Sequence, residues 1–340
     1  MKKIFALTLA CGLLLAAPAA AQNPAQAQNE LMAAIALEYS PETAPDYPAA
    51  AARYQAAAQA GSREALLALA RLHAPEGPLW QGPELWQEHL LTASRAGWPE
   101  ASYRLAKAVE DKVLDGQNPA SFYFQAAAAG YGPAAKRLGE IYLEGLWGLS
   151  KDEKLGATWL TVAAENHEPE AALALGRLYY EQKPDTARRW LERAQSPEGY
   201  YLLGELYLKD KRFIEAVSAF TVAADQNYAP AHLALGRQEM ENEFGRRGNR
   251  GKALRHFKIA AQAGLPEGAY RLAHMYLKGE GTPADSLTAA FWLFQAGAKG
   301  HEAALEEYEK LSRNFTIGQK KRLDRMIEEG VTPSMRTPVQ

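Results

Sequence analysis

The sequence predicts an all-α protein, an α-solenoid of about eight antiparallel helix pairs. Two observations predict it. A turn residue recurs at Gly61, Gly97, Gly130, His167, Gln195, Asn227, Gly264 and Gly300, at separations of 28 to 37 residues, and each is followed four positions later by Ala or Gly. In seven of these copies Leu and then a Gly or Ala follow at eight and nine positions. A period of this length is the signature of stacked helix pairs, in which no unit buries its apolar face alone. The second observation is composition: the chain is Ala-rich and 47% hydrophobic, which suits closely packed helices.

Taken in chain order, residues 1–21 read as a secretory signal peptide. Met1-Lys2-Lys3 is a basic start, Ile4 to Ala17 is an apolar run, and Ala19-Ala20-Ala21 offers a small-residue cleavage site. Thr8-Leu9-Ala10-Cys11 loosely matches a lipoprotein processing box, but the apolar run continues through Leu15. Ordinary cleavage is therefore expected and a lipid anchor at Cys11 is not. Cys11 is the single cysteine, so the processed chain would hold no disulfide. The run is too short to cross a bilayer and no later segment reaches ~18 apolar residues. A periplasmic location is expected, with secretion as the alternative. A net charge of −2 gives no broad electrostatic reason to bind nucleic acid or an anionic membrane.

Residues 22–42 read as a flexible lead-in, with a helix over Asn29–Tyr39 stopped by Pro41. Residues 43–310 carry the repeats. Gly268, Leu272 and Tyr276 are spaced i, i+4, i+8, one stripe of a helix, and Ala134-Leu138-Tyr142, Ala171-Leu175-Tyr179 and Gly199-Leu203-Tyr207 repeat it. The small residue admits a neighbouring helix, and the Leu and Tyr fill the groove beyond. Gly139, Gly176, Gly204 and Gly236 follow the stripe Leu, although Gly inside a helix costs ~1 kcal/mol relative to Ala. Their use predicts contacts too tight for a Cβ. Gly279, Gly281 and Pro283 make a turn, and a second helix begins near Ala290-Phe291-Trp292. Residues 311–329 read as a capping helix and 330–340 as a tail.

The pattern small-x3-Leu-Gly-x2-Tyr-x2-Gly, then Asp, Ala-x-Trp and Ala-Ala-x2-Gly, resembles the Sel1-like repeat, a variant of the tetratricopeptide repeat. Leu203-Gly204-x2-Tyr207 with Phe213, Ala216, Phe220 and Ala224 resembles the tetratricopeptide form itself. The resemblance covers roughly residues 43–310. It departs at the short fourth-to-fifth spacing and at the last copy, where Tyr308-Glu309 replaces Leu-Gly. It implies an adaptor that binds a protein or peptide, and exported members of such families serve cell-envelope and exopolysaccharide assembly. Some cysteine-rich members are linked to β-lactam binding or hydrolysis, but their cysteine pairs are missing here.

Chemistry-bearing motifs are sparse. His73, His89, His167, His232, His256, His274 and His301 form no i, i+4 pair and no His-Glu-x2-His arrangement, so a metal site would need distant histidines to converge. His73 occupies a stripe position and reads as packing. There is no Gly-x-Ser-x-Gly elbow and no phosphate loop. The expectation is no enzyme, no cofactor and no metal. Trp159 and Trp292 fit the repeat and read as core. Candidate partner-binding residues lie where the period breaks: Trp80 and Trp147 in irregular connections, and Arg246, Arg247, Arg250, Lys252 and Arg255 in a basic stretch suited to carboxylates. The leading expectation is a non-catalytic scaffold in the periplasm. The alternatives are a secreted effector that meets a host protein and a β-lactam-hydrolysing cell-wall enzyme.

Overall fold

A computed structural model of the chain describes residues 23–41, 43–115, 118–240 and 248–330. Cys11, the signal segment, Arg246, Arg247 and the tail lie outside the described residues. The described residues form eighteen α-helices and no strand. The chain divides into two compact units, the first ending at Ala172 and the second beginning at Leu173.

The first unit holds α1 (Pro24–Glu38), α2 (Tyr47–Gln59), α3 (Arg63–Leu72), α4 (Pro83–Arg95), α5 (Pro99–Glu110), α6 (Pro119–Ala128), α7 (Gly132–Glu144), α8 (Glu153–Glu165) and the start of α9 (Pro169–Tyr179). The second holds the rest of α9, then α10 (Pro184–Ala194), α11 (Pro197–Lys209), α12 (Phe213–Asp225), α13 (Ala229–Met240), α14 (Arg250–Gln262), α15 (Pro266–Lys278), α16 (Ser286–Gly297), α17 (Glu302–Arg313) and α18 (Ile317–Glu329). Odd-numbered helices open each pair and even-numbered helices close it.

The recurring turn residue has one physical job. All eight positions take positive φ: 102° at Gly61, 85° at Gly97, 86° at Gly130, 65° at His167, 45° at Gln195, 60° at Asn227, 90° at Gly264 and 89° at Gly300. At the first pair boundary Gly61 N–H donates to the Ala58 carbonyl and Ser62 N–H to that of Ala57. The same two bonds recur at Gly97, Gly130, His167, Asn227, Gly264 and Gly300. This is the Schellman closure, which satisfies the last carbonyls of the even helix and reverses the chain into the next odd helix. Proline at the first helical positions then starts α5, α7, α11 and α15, where its missing N–H has no helical partner. Asp46, Ser62, Asp152 and Thr316 cap other starts with side-chain oxygens.

The glycines after the stripe Leu sit where helices nearly touch. A Cβ on Gly139 would lie 3.0 Å from the Gly156 carbonyl oxygen and 2.8 Å from Leu160 Cγ. On Gly204 it would meet the Phe220 ring at 2.5 Å, and on Gly236 the Phe257 ring at 2.5 Å. The large rings of the even helices thus fill the space that glycine leaves on the odd ones.

Cores form pair by pair. In the first unit Tyr54, Leu69 and Leu72 close one cluster with Ala34, Ala50 and Ala57, and Leu90 and Leu105 close the next. In the second, Leu191, Leu203 and Leu206 pack together, then Phe220 with Ala216, Ala223 and Ala231. Phe257, Leu272, Phe291 and Trp292 pack with Phe315, Leu323 and Met326, so α18 covers the last apolar face. Trp159 and Trp292 are buried, as is His73.

One expected element differs. The stretch from Gln22 that reads as flexible is helical from Pro24 onward. Asn23 caps it by accepting from Gln26 N–H, Pro24 sits at its first turn, and α1 packs on α2 through Ala34. Helix pairing therefore begins at Pro24, well before residue 43.

Candidate functional site

The odd helices carry polar side chains that clasp the pairs together. Glu38, at the end of α1, is buried, and Tyr54 from α2 donates to its Oε2 at 2.7 Å while Arg71 from α3 reaches both its oxygens at 2.6 Å. The arrangement recurs two pairs later. Glu110, ending α5, accepts from the Tyr123 hydroxyl of α6 and from Arg137 of α7, whose Nε lies 3.0 Å from Oε1. Burial first, and then the hydrogen bond to the carboxylate, holds both phenols above the ordinary tyrosine range. These clasps have no sequence signature, because their members sit 13 to 33 residues apart on different helices.

In the second unit Arg177 pairs with Glu198, and Glu267 gathers Arg237, Arg271 and His301. Glu307 accepts from the Tyr270 hydroxyl at 2.8 Å and lies 3.0 Å from His274 Nε2, at an angle too poor for a true hydrogen bond. Tyr270 stacks on His301 with centroids 4.3 Å apart.

The predicted aromatic residues separate. Trp80 is 37% exposed, and its ring meets the edge of buried Trp86 at 6.3 Å. Trp147 is half-buried at φ 50°, with Arg137 5.6 Å above its ring. Asn118 Nδ2 donates to its carbonyl at 2.9 Å. Trp147 therefore folds back on α7 and the start of α6.

Of the basic stretch, Arg250, Lys252 and Arg255 lie on α14 and are within the described residues. Arg250 and Lys252 occupy its first turn, facing Glu280 at 3.5 Å and Glu239 at 3.9 Å. Arg255 is exposed one turn on, and Ile259 beyond it is 41% exposed. Lys252, Arg255 and Ile259 share one helix face by their i, i+3, i+7 spacing. The helix carries four Lys or Arg residues and no Asp or Glu.

Two histidine pairs do converge. His73 and His89 have ring centroids 5.0 Å apart, and His232 and His256 bring their Nδ1 atoms to 3.0 Å. Burial first, and then the neighbouring ring, lowers the affinity of His89 and His256 for a proton, and burial lowers that of His232. Among the described residues no group of three or more metal-ligating side chains assembles. Two shallow recesses are present. One of about 280 Å³ is lined by Leu277, Leu293, Glu307 and Leu311, the other of about 210 Å³ by Tyr201, Glu205, Leu233 and Arg237. No described helix is long and apolar enough to cross a membrane.

A model of the Sel1 repeat family matches residues 132–167, 169–194, 229–265 and 266–301. The fold is similar to that of a protective antigen present in uropathogenic Escherichia coli strains displaying an SLR fold. The TM-score is 0.73 at 18% identity, over 89% of this chain and 68% of that one. It is also similar to a Sel1 repeat protein from Oxalobacter formigenes, with a TM-score of 0.67 at 20% identity over 91% of this chain and 93% of the other. Chitin synthase regulatory factor 3 of Schizosaccharomyces pombe is 29% identical over 243 residues, 64% of this chain, and the chain spans 26% of that protein's length.

Proposed function

We propose, on the premise that the chain is a Sel1-repeat protein, that it is a non-catalytic scaffold holding a protein partner in the periplasm, in service of cell-envelope or exopolysaccharide assembly. The likeness to a protein named as a regulatory factor supports an adaptor role. The basic, apolar start and run of Met1–Ala21 support export.

One observation carries the choice of surface. Cations at a helix N-terminus oppose the helix dipole, at roughly 0.3–1 kcal/mol each. Arg250 and Lys252 nevertheless open α14, and Arg255 and Ile259 continue the exposed face. Ten of the other seventeen described helices carry an acid in the first turn, among them Glu64, Glu100, Glu153 and Glu267. The long, exposed ion pairs to Glu280 and Glu239 offset the dipole cost only in part, since such pairs are worth roughly 0–1 kcal/mol. A local rule broken for so small a folding gain points to a surface kept for another purpose. The reading is that this face, with Arg246 and Arg247 just before it, docks an acidic segment of a partner through guanidinium–carboxylate pairs around the apolar Ile259. Trp80 and Trp147 lie in the first unit and are candidates for a separate contact.

The test is co-purification of the tagged full chain with envelope proteins, comparing wild type with Arg250→Glu/Lys252→Glu/Arg255→Glu and with Arg246→Glu/Arg247→Glu/Arg250→Glu. The expected result is loss of an acidic partner with unchanged helical circular dichroism. Equal recovery by all three proteins would remove the basic face, and retention of the chain in spheroplasts after osmotic shock would remove the periplasm.

A further inference from the structure

The pair His232–His256 stands apart from every surface assigned above. His232 lies in the first turn of α13 and is 8% exposed, and His256 lies midway along α14. Their rings are tilted by 36° with centroids 5.3 Å apart, and the Nδ1 atoms face each other at 3.0 Å. Two imidazole nitrogens at that distance form a hydrogen bond only if one carries a proton and the other presents a lone pair. The bond ties the two helices of a single repeat across their shared interface.

We propose that His232 and His256 form a proton-operated latch between α13 and α14, closed while at least one ring is neutral and open when both are protonated. The first proton leaves a donor and an acceptor, and the bond becomes charge-assisted. The second removes the acceptor and sets two N–H groups and two positive charges against each other. Opening therefore follows the second proton and belongs to the pair, not to either residue.

The surroundings divide. Asp225 at the end of α12 and Glu239 on α13 favour the charged rings, whereas Lys252 and Arg255 on α14 oppose them. α15, packed on the other side of α14, brings apolar Ala269, Leu272 and Ala273 to the core that Phe257 enters. Burial disfavours charge on both rings, so the latch is closed at neutral pH and opens on acidification. Opening loosens the repeat whose second helix begins at Arg250, while α16, which holds no histidine, keeps its packing.

Amide hydrogen exchange on the full chain at pH 7.5 and pH 5.0, corrected for intrinsic exchange rates, tests this. The expected result is an acid-induced loss of protection in α13 and α14 about tenfold greater than in α16, the cost of one lost hydrogen bond. His256→Gln supplies an amide that can donate to the lone pair of neutral His232 and, with its oxygen turned inward, accept from the charged ring. It should keep wild-type protection at pH 7.5 and abolish the acid response. Equal protection of wild-type α13 and α14 at the two pH values would overturn the latch, as would an acid response in the Gln variant equal to that of wild type. If the Gln variant does not fold, ring ¹⁵N titration of the wild-type protein decides. The two rings should titrate in the same pH interval in which α13 and α14 lose protection, and titration with no loss of protection would overturn the proposal.

Discussion

Gly139→Ala is a demanding check on the packing argument, because local propensity and tertiary packing predict opposite signs. Ala is the better helix former by about 1 kcal/mol, so a loosely packed α7 would be stabilised. The structure predicts a loss. The new methyl would sit 3.0 Å from the Gly156 carbonyl oxygen and 2.8 Å from Leu160 Cγ. The carbonyl is backbone and cannot rotate away, and Leu160 is fully buried. The approach is reciprocal, since a Cβ on Gly156 would lie 3.0 Å from the Gly139 oxygen and 2.7 Å from Leu143. Forcing α7 and α8 apart costs roughly 1–3 kcal/mol. Set against the propensity gain, the expected net loss is about 1 kcal/mol for Ala and, at the top of that range, about 2 kcal/mol for Leu. Gly318→Ala is the control. Gly318 opens α18 with no atom within 4 Å of a built Cβ, and the same substitution there should add up to about 1 kcal/mol. Urea unfolding followed by circular dichroism measures all three variants. A Gly139→Ala protein as stable as wild type, in an assay that registers the Gly318→Ala gain, would refute close approach as the reason for the glycine.

The other predictions concern turns, clasps and pH. His167 and Gln195 hold left-handed φ that costs an L-residue about 1 kcal/mol, so His167→Gly and Gln195→Gly should each raise the unfolding free energy by about that amount. Glu110→Ala should strand the Tyr123 hydroxyl and leave Arg137 with Glu140 alone, lowering stability by about 2 kcal/mol with enhanced exchange confined to α5–α7. Tyr180 and Tyr201 are pushed up to about 12 by burial and then by Glu205, so the stabilisation they carry is complete below pH 10 and lost as pH rises toward 12. Tyr201→Phe should lessen that alkaline loss in a pH series of melting curves. The lowered proton affinity of His89, His232 and His256 acts in the opposite range, with stability falling as pH drops below the ordinary histidine value.

The repeat was readable because it is local. Leu138, Leu175 and Leu272 recur at fixed distance from a turn residue, and all three are buried. Even the turn positions without glycine, His167, Gln195 and Asn227, hold the phase that spacing assigns them. What spacing does not reach are contacts between helices. Glu110 meets Arg137 27 residues away, and His232 meets His256 24 away, distances set by which helix follows which and by how each is rotated. Trp147 shows a third kind of hidden fact: its left-handed backbone lies between the left-handed glycines Gly145 and Gly148, but its tie to Asn118 and its cover by Arg137 leave no mark in the local sequence. The candidate surface was legible only as charge. That Arg250 and Lys252 begin a helix, where their charge is unfavourable, depended on where α14 starts.

The Schellman closures also bear on how such a chain changes length over generations. Six of the eight joints from an even helix to the next odd one are three residues long, 60–62, 96–98, 129–131, 166–168, 226–228 and 263–265, and the other two, 195–196 and 298–301, differ by one residue. The joints inside a pair vary more: residues 73–82 connect α3 to α4, whereas 210–212 suffice between α11 and α12. The unequal spacings of the sequence are therefore taken up largely on one side of the molecule's wiring. Insertions, epitope tags or grafted recognition loops placed within a pair should be absorbed as added loop. One residue added at a closure would break the two hydrogen bonds that set the phase of everything downstream.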